Sequence, residues 1–300
     1  MVSRFAVICS PGIGDALILS IASHYLKSLG HDVTTIHPHL PSFGSWLEPG
    51  SYSSSTRDLF SFDAILLQHD NSPRAQTIAA LKTRQPVYIL YPNYRPAKHG
   101  PLRPHFDFAF DETKTMVDNV VHALTRLFGQ PATKQNVLTP PSHLTHRKYP
   151  KRIAIHPTSG DTWRNWPKKK FLTLANRLEK KGFQPAFLLA PHERSDWPAQ
   201  LVPSLPTLEA FASFLYESGA FIGNNSGPGH LASCLNIPHI ILGHQKRHML
   251  QWKPGWLTGT VLLPYSWIPN FKGLRLREKY WNKLITTCRV LKQLEYKLTF

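Results

Sequence analysis

Short apolar runs alternate along the chain with longer stretches in which apolar positions recur every three to four residues. That is the pattern of buried parallel strands and the helices that cover them. Residues 4–9 form a continuous apolar strand, a Ser-Pro-Gly-Ile-Gly-Asp turn follows, and an amphipathic helix is expected over 15–29, closed by Gly30. A second strand at 32–36 completes a β-loop-α-β opening, with its loop at the carboxyl edge where open parallel sheets bind ligands. Further strands are expected at 64–68, 86–90 and 106–110, with helices at 76–82 and 115–128. Residues 37–62, rich in Ser, Pro and Gly, predict loop with a short helix.

The pattern then breaks and restarts. Residues 130–152 hold Pro140-Pro141 and a basic run from Arg147 to Arg152 without apolar period, which predicts an interdomain linker. A strand at 152–156 reopens the same alternation, with a helix at 168–181, a strand at 184–189 and a helix at 207–217. Phe221 to Leu242 reads as strand, turn, helix and strand, and residues 276–298 as a C-terminal amphipathic helix carrying Trp281, Leu284, Cys288, Leu291 and Leu298. Two Rossmann-like α/β domains result, bounded at 1–145 and 150–270, with the helix at 271–300.

Charge changes this picture more than composition does. The 300 residues carry a formal charge of +17, and residues 1–148 hold 14 Lys+Arg against 10 Asp+Glu whereas 149–300 hold 21 against 8. The second half therefore suits an anionic partner: a phosphorylated substrate, an acidic membrane surface or nucleic acid. No nucleic-acid motif accompanies the charge, so nucleic acid is not expected. Three cysteines without CxxC spacing point to a reducing compartment with neither disulfide nor zinc. The apolar run after Arg4 is cut by Pro11-Gly12 and Asp15, too short for a signal segment or a membrane span, so a cytoplasmic protein is expected.

Candidate chemistry gathers at three turns. In Asn224-Asn225-Ser226-Gly227-Pro228-Gly229 a helix opens near His230, and the unpaired first amides of such a helix suit a phosphate, with Ser226 and His230 as side-chain donors. The stretch HPTSGDTWRNW supplies Thr158, Ser159 and Arg164 for the same anion, while Lys168-Lys169-Lys170 reads as a solvated face. At the first turn, Asp15 projects a carboxylate suited to a general base or, structurally, to the helix dipole. Gly12-x-Gly14 also begins a dinucleotide fingerprint, but Leu17 replaces its third glycine and Asp32 starts its strand instead of ending it, which counts against NAD. The loop 91–105, with four prolines, Arg95, Lys98 and Arg103, is either a solvated loop or a place to meet an anionic acceptor.

GIGDAL near the N-terminus, HPTSGDTWRNWPKKKFLTLANRLEKKGFQPAFLLAPHE and FIGNNSGPGHLASCLNIPHIIL together resemble glycosyltransferase family 9, the ADP-heptose:lipopolysaccharide heptosyltransferases and their relatives. The resemblance implies a GT-B architecture, two Rossmann-like domains facing across a cleft with the C-terminal helix packing back on the first. It implies an inverting transferase without metal or cofactor, whose substrate is a nucleoside-diphosphate sugar, with ADP the expected nucleotide. Asp15 would be the base, with Thr158, Ser159, Arg164, Asn225, Ser226, Gly227 and His230 around the diphosphate and Glu193 at the ribose. Gly14, Arg95, Lys98 and Arg103 would face the acceptor, a lipid-linked anionic glycan such as lipopolysaccharide core, reached from the inner face of the cytoplasmic membrane. The chain departs from the family in having Asn225 where Asp is usual and Arg164 where Lys is frequent. The first departure opens an alternative, a GT-B protein that binds nucleotide or glycan without transfer. The basic side of the C-terminal stretch, with Arg275, Lys279, Lys283 and Arg289, offers a second use, contact with an anionic membrane.

Overall fold

The computed structural model describes residues 2–56 and 58–299, which form two compact units, 1–139 and 140–300. The first unit runs β1 (Arg4–Ile8), α1 (Ile13–Ser28), β2 (Asp32–Ile36), β3 (Ser51–Ser53), β4 (Ala64–Gln68), α2 (Pro73–Ala80), β5 (Val87–Tyr91), α3 (Pro96–His99), β6 (Asp107–Ala109) and α4 (Met116–Phe128). Among the described residues its sheet has six strands in the order β3-β2-β1-β4-β5-β6, every pair parallel. Strand order reverses beside β1, so the β1–α1 loop and the end of β4 share the edge where ligands bind in such sheets. One face of the sheet closes on Ile8, Ile36, Ile65, Leu67, Ile78 and Ile89. Tyr25, Phe5, Tyr88 and Phe128 stack where α1 and α4 pack together.

The second unit runs β7 (Tyr149–His156), α5 (Lys168–Lys180), β8 (Gln184–Phe187), α6 (Leu208–Tyr216), β9 (Ser218–Asn224), α7 (Gly227–Cys234), β10 (His239–Leu242), α8 (Lys246–Trp252), β11 (Thr260–Leu262), β12 (Asn270–Phe271), β13 (Leu274–Arg275), α9 (Leu276–Lys279), α10 (Trp281–Leu284) and α11 (Thr287–Thr299). Its five-stranded parallel sheet has the order β11-β10-β9-β7-β8, and β12 and β13 form a separate antiparallel hairpin. α7 sits close against the sheet because Gly229 has no side chain: a Cβ there would lie 2.7 Å from Ile241 Cδ1.

The sequence reading is amended in four places. The segment expected as linker begins inside the first unit, where Val137 is buried and Thr139 N donates to Trp46 O at 2.7 Å; the unit boundary falls at Thr139/Pro140. β3 carries no apolar alternation, only Ser-Tyr-Ser, and forms through its parallel register with β2. The C-terminal stretch supplies part of the second unit's own core: Val290, Leu291 and Leu294 of α11, with Trp281 and Ile285, lie in it, and α11 packs on α5 and β10. Finally, Lys170 is not a solvated side chain. Its Nζ donates at 2.8 Å to the carbonyls of Asn282, Lys283 and Ile285, so a cation closes the unpaired C-terminal end of α10. The expected single C-terminal helix is broken there and restarts after Thr286, whose hydroxyl accepts from Arg289 N at 3.3 Å as an N-cap does.

Candidate active site

The two units each carry part of the expected chemistry. In the first, Asp15 is the third residue of α1, and its carboxylate turns back over the start of the helix. A Cβ on Gly12 would lie 2.7 Å from Asp15 Oδ2, so glycine is required for that placement. Gln68, the last residue of β4, donates its Nε2 to Asp15 Oδ1 at 2.7 Å. Burial pushes the Asp15 carboxyl up to about 6, the Gln68 hydrogen bond pulls it down, and the charge of Asp70 raises it. A base of that strength is near the neutral-pH optimum for accepting a proton from a hydroxyl.

The loop before Asp15 is clamped by His37. This buried ring meets Pro11 O at 3.0 Å through Nε2, and its Nδ1 accepts from the amides of His39 and Leu40 at 3.1 Å each. Both nitrogens are thus committed to the neutral form. Arg74 Nη1 donates to Cys9 O at 3.1 Å and holds the other end of the loop, while the Cys9 thiol is pushed up by burial and by the Asp15 charge. Gly14 is buried in the first turn of α1. Arg95, which precedes α3, and Lys98, within it, are exposed. Arg103 is engaged inside the unit, donating to Asp107 Oδ1 at 2.7 Å and to Val87 O at 2.6 Å.

In the second unit the organising residue is Asn224, fully buried at the end of β9. Its Oδ1 accepts from Trp166 N at 3.0 Å, and its Nδ2 donates to Pro157 O at 2.7 Å and to Asn165 Oδ1 at 3.3 Å. Ser159 donates to the same Asn165 Oδ1 at 2.7 Å, so the 157–166 loop is stitched to the β9–α7 turn by side-chain amides. His156 Nδ1 meets Leu188 O at 2.7 Å, and its Nε2 lies 3.2 Å from Thr158 Oγ1. Thr158, Ser159, Asn225, Ser226, Gly227 and His230 are therefore gathered by two neighbouring strand ends, β7 and β9.

Several of them are already engaged. Arg164 is paired with Asp161, although its Nε is buried without a partner. Glu193 Oε2 accepts from Ala190 N at 2.8 Å and caps its own turn. Pro228 has no N–H and Gly229 N donates to Ser226 O at 3.0 Å; the Ser226 and Gly227 amides, at the N-terminal end of α7, have no partner within the helix. Two polar atoms in this turn, Asn225 Oδ1 and His230 Nδ1, are buried without a partner, an arrangement costly unless a ligand completes it.

The histidines make stability depend on acid. His37, His230 and His239 are buried, and desolvation lowers each from 6.5 to about 4. The unfolded chain takes up these protons near pH 6.5 and the folded chain only near 4, so stability present above 6.5 is lost as pH falls toward 4. Asp15 acts in the opposite sense, its contribution lost as pH rises from 3.8 through about 6. His248 is lowered to about 4 in the same way, and with these histidines outnumbering Asp15 the melting midpoint near pH 4.5 is expected several degrees below that near pH 7.5; equal midpoints would contradict this.

Two Rossmann-like units with parallel sheets and polar residues collected at strand ends are the architecture of GT-B proteins. The sequence matches the model of glycosyltransferase family 9 (heptosyltransferase) over residues 94–254, more than half of its length, and the chain belongs to that family. Solved structures agree on the fold. A family 9 glycosyl transferase from Veillonella parvula is similar with TM-score 0.69 at 14% identity, over 99% of this chain and 97% of that one. The E. coli ADP-heptose lps heptosyltransferase II gives 0.69 at 15%, over 99% and 98%. E. coli heptosyltransferase WaaC with ADP gives 0.69 at 14%, over 98% and 99%. No curated protein matches by sequence. No helix among the described residues is long and apolar enough to cross a membrane.

Proposed function

We propose that this glycosyltransferase moves a heptose-like sugar from an ADP-linked donor to lipopolysaccharide core or a related anionic surface glycan, at the inner face of the cytoplasmic membrane. The observation that carries the reading is the Asp15 carboxylate, oriented by Gln68 and raised to about 6, on a chain of family 9. Asp15 takes the proton of the acceptor hydroxyl as its oxygen attacks the anomeric carbon, and the bond to the diphosphate breaks on the opposite side, inverting the centre. No metal or cofactor is required by this route. The leaving diphosphate is met by the Ser226 and Gly227 amides, the Arg164 guanidinium and His230. Glu193 faces the ribose, and Gly14, Arg95 and Lys98 face the acceptor. Arg103 keeps only a positioning role, because Asp107 and Val87 hold it.

His230 is neutral, with its Nδ1 unpartnered, and an anion beside that nitrogen favours a bound proton. His230→Ala is expected to weaken nucleoside-diphosphate affinity about tenfold, measured by calorimetry; unchanged affinity would move the diphosphate elsewhere. Transfer itself is tested by incubating the chain with ADP-heptose and deacylated lipopolysaccharide core and following acceptor mass. A gain of one sugar is expected; donor binding without gain supports the second reading.

That second reading, a GT-B protein that binds without transfer, rests on Asn225, whose buried Oδ1 has no partner where the family resemblance leads one to expect a carboxylate. It requires an inactive parent whose activity appears in Asn225→Asp.

A further inference from the structure

Among the described residues, five of the twelve exposed large apolar side chains fall within residues 265–280: Tyr265, Trp267, Phe271, Leu274 and Tyr280. Trp267 is 77% exposed and Phe271 62%. Isolated exposed apolar residues are ordinary, but so many in one short stretch, with Tyr265 against Trp267 and Phe271 opposite Leu274, point to a contact surface.

The hairpin explains how the group is displayed. β12 and β13 place Phe271 opposite Leu274 and Asn270 opposite Arg275. Opposed residues of an antiparallel pair share a face and successive residues alternate, so Phe271 and Leu274 stand on one face and Asn270 and Arg275 on the other. The polar face is tied down: Glu278 accepts from Asn270 Nδ2 at 3.2 Å and from Gln245 Nε2 at 3.5 Å, and pairs with Arg275 at 3.7 Å. The apolar face is thereby turned outward around a Lys272-Gly273 turn, whose glycine has φ +91°. Residues 265–283 carry Lys272, Arg275, Arg277, Lys279 and Lys283 against the single acid Glu278, which those contacts already engage.

Charge and ring geometry select the occupant. A second copy would bring two chains of +17 together through their own cations. A nucleic acid needs open ring faces on which bases stack. Here Tyr265 is occupied by Trp267, centroids 6.0 Å apart and 18° from parallel, and by the Arg289 guanidinium 4.1 Å over it, which leaves Trp267 and Phe271 as the most exposed rings of the group. Leu274 offers no stacking surface. Tyr and Trp among Lys and Arg is instead the composition of a contact at the headgroup level of a bilayer.

We propose that residues 265–283 dock the protein on an anionic phospholipid surface, with Trp267, Phe271 and Leu274 entering at headgroup level and Lys272, Lys279 and Lys283 meeting phosphates. This deepens the membrane-side placement proposed above and rests on it only for the side of the membrane involved. The test is flotation of the full chain with vesicles of phosphatidylcholine alone or mixed with phosphatidylglycerol. Binding is expected to the mixed vesicles only and to weaken with salt. The double substitution Trp267→Ser with Phe271→Ser is expected to weaken it about tenfold, and Lys272→Glu by about as much. The thermal shift with ADP, measured on the same preparations, reports the donor site separately: it stays at the parental value in these variants, and its absence in the parent would count against the transferase reading while leaving the vesicle result standing. Equal binding to neutral and anionic vesicles overturns the proposal, as do variants that bind like the parent. Capture of mixed-sequence RNA in place of vesicles, lost with the same substitutions, overturns it in favour of a nucleic-acid surface.

Discussion

Asp15→Asn is expected to lower turnover about 100-fold or more while leaving nucleotide binding intact, the loss typical of removing a general base. The substitution keeps the size of the side chain, and an amide oxygen still accepts the Gln68 Nε2 that meets Asp15 Oδ1 at 2.7 Å, so the turn keeps its shape and only the proton acceptor is lost. The pH profile gives the same group a signature. Because burial raises the carboxyl to about 6, parental kcat rises as pH increases through about 6 and levels above it. The residual activity of Asp15→Asn lacks that rise. A variant with parental kcat, or a parent without a transition near 6, would remove Asp15 from the chemistry.

Asn224→Leu carries the second large effect. Leu shares the branching of Asn but is larger and apolar, and it leaves Trp166 N–H and Pro157 C=O without the partners they now have at 3.0 and 2.7 Å in a buried place. Each such group costs about 1–3 kcal/mol. The same bonds hold the loop of Thr158, Ser159 and Arg164 against the β9–α7 turn. The expected result is a melting midpoint lower by several degrees together with nucleoside-diphosphate binding weakened at least tenfold. A stable variant that binds like the parent would show that the loop does not depend on this amide. A destabilised one with parental affinity would confine Asn224 to the fold.

Much of this was legible in the sequence, for a physical reason. Fully buried parallel strands leave long apolar runs, and β2 and β4 appear at their expected bounds of 32–36 and 64–68. Asp15 was legible as a candidate because an acid in the first turn of a helix serves either a proton or the helix dipole, and its burial and the bond from Gln68 are what the structure adds. The residues that position the sites were harder to see. Gln68 and Asn224 each end an apolar strand, His156 ends β7, and His37 follows β2 directly. All four lie at carboxyl ends of parallel strands, where the backbone leaves the sheet and its amides and carbonyls need side-chain partners. A polar residue closing an apolar strand is thus a signal that was present and went unread.

Other features were not local enough to read. Arg164 looked like a free fork because nothing in HPTSGDTWRNW says that Asp161 turns back to meet it. Lys170 looked solvated because its acceptors, Asn282, Lys283 and Ile285, come more than a hundred residues later. The C-terminal helix had a clear apolar stripe, but periodicity gives a stripe no address. Trp166 Nε1 bonded to Ile285 O at 3.0 Å, with Trp281 in the same core, fixes that address in the second unit.

The most direct measurement of the central claim is a thermal-melt series of the full chain with ADP, GDP, UDP, CDP and NAD. A ligand held at one hundred times its dissociation constant stabilises the folded state by about 2.7 kcal/mol, a visible rise in midpoint. The account predicts that rise with ADP, smaller shifts with the other nucleoside diphosphates and none with NAD. A protein whose midpoint no nucleoside diphosphate moves would contradict it.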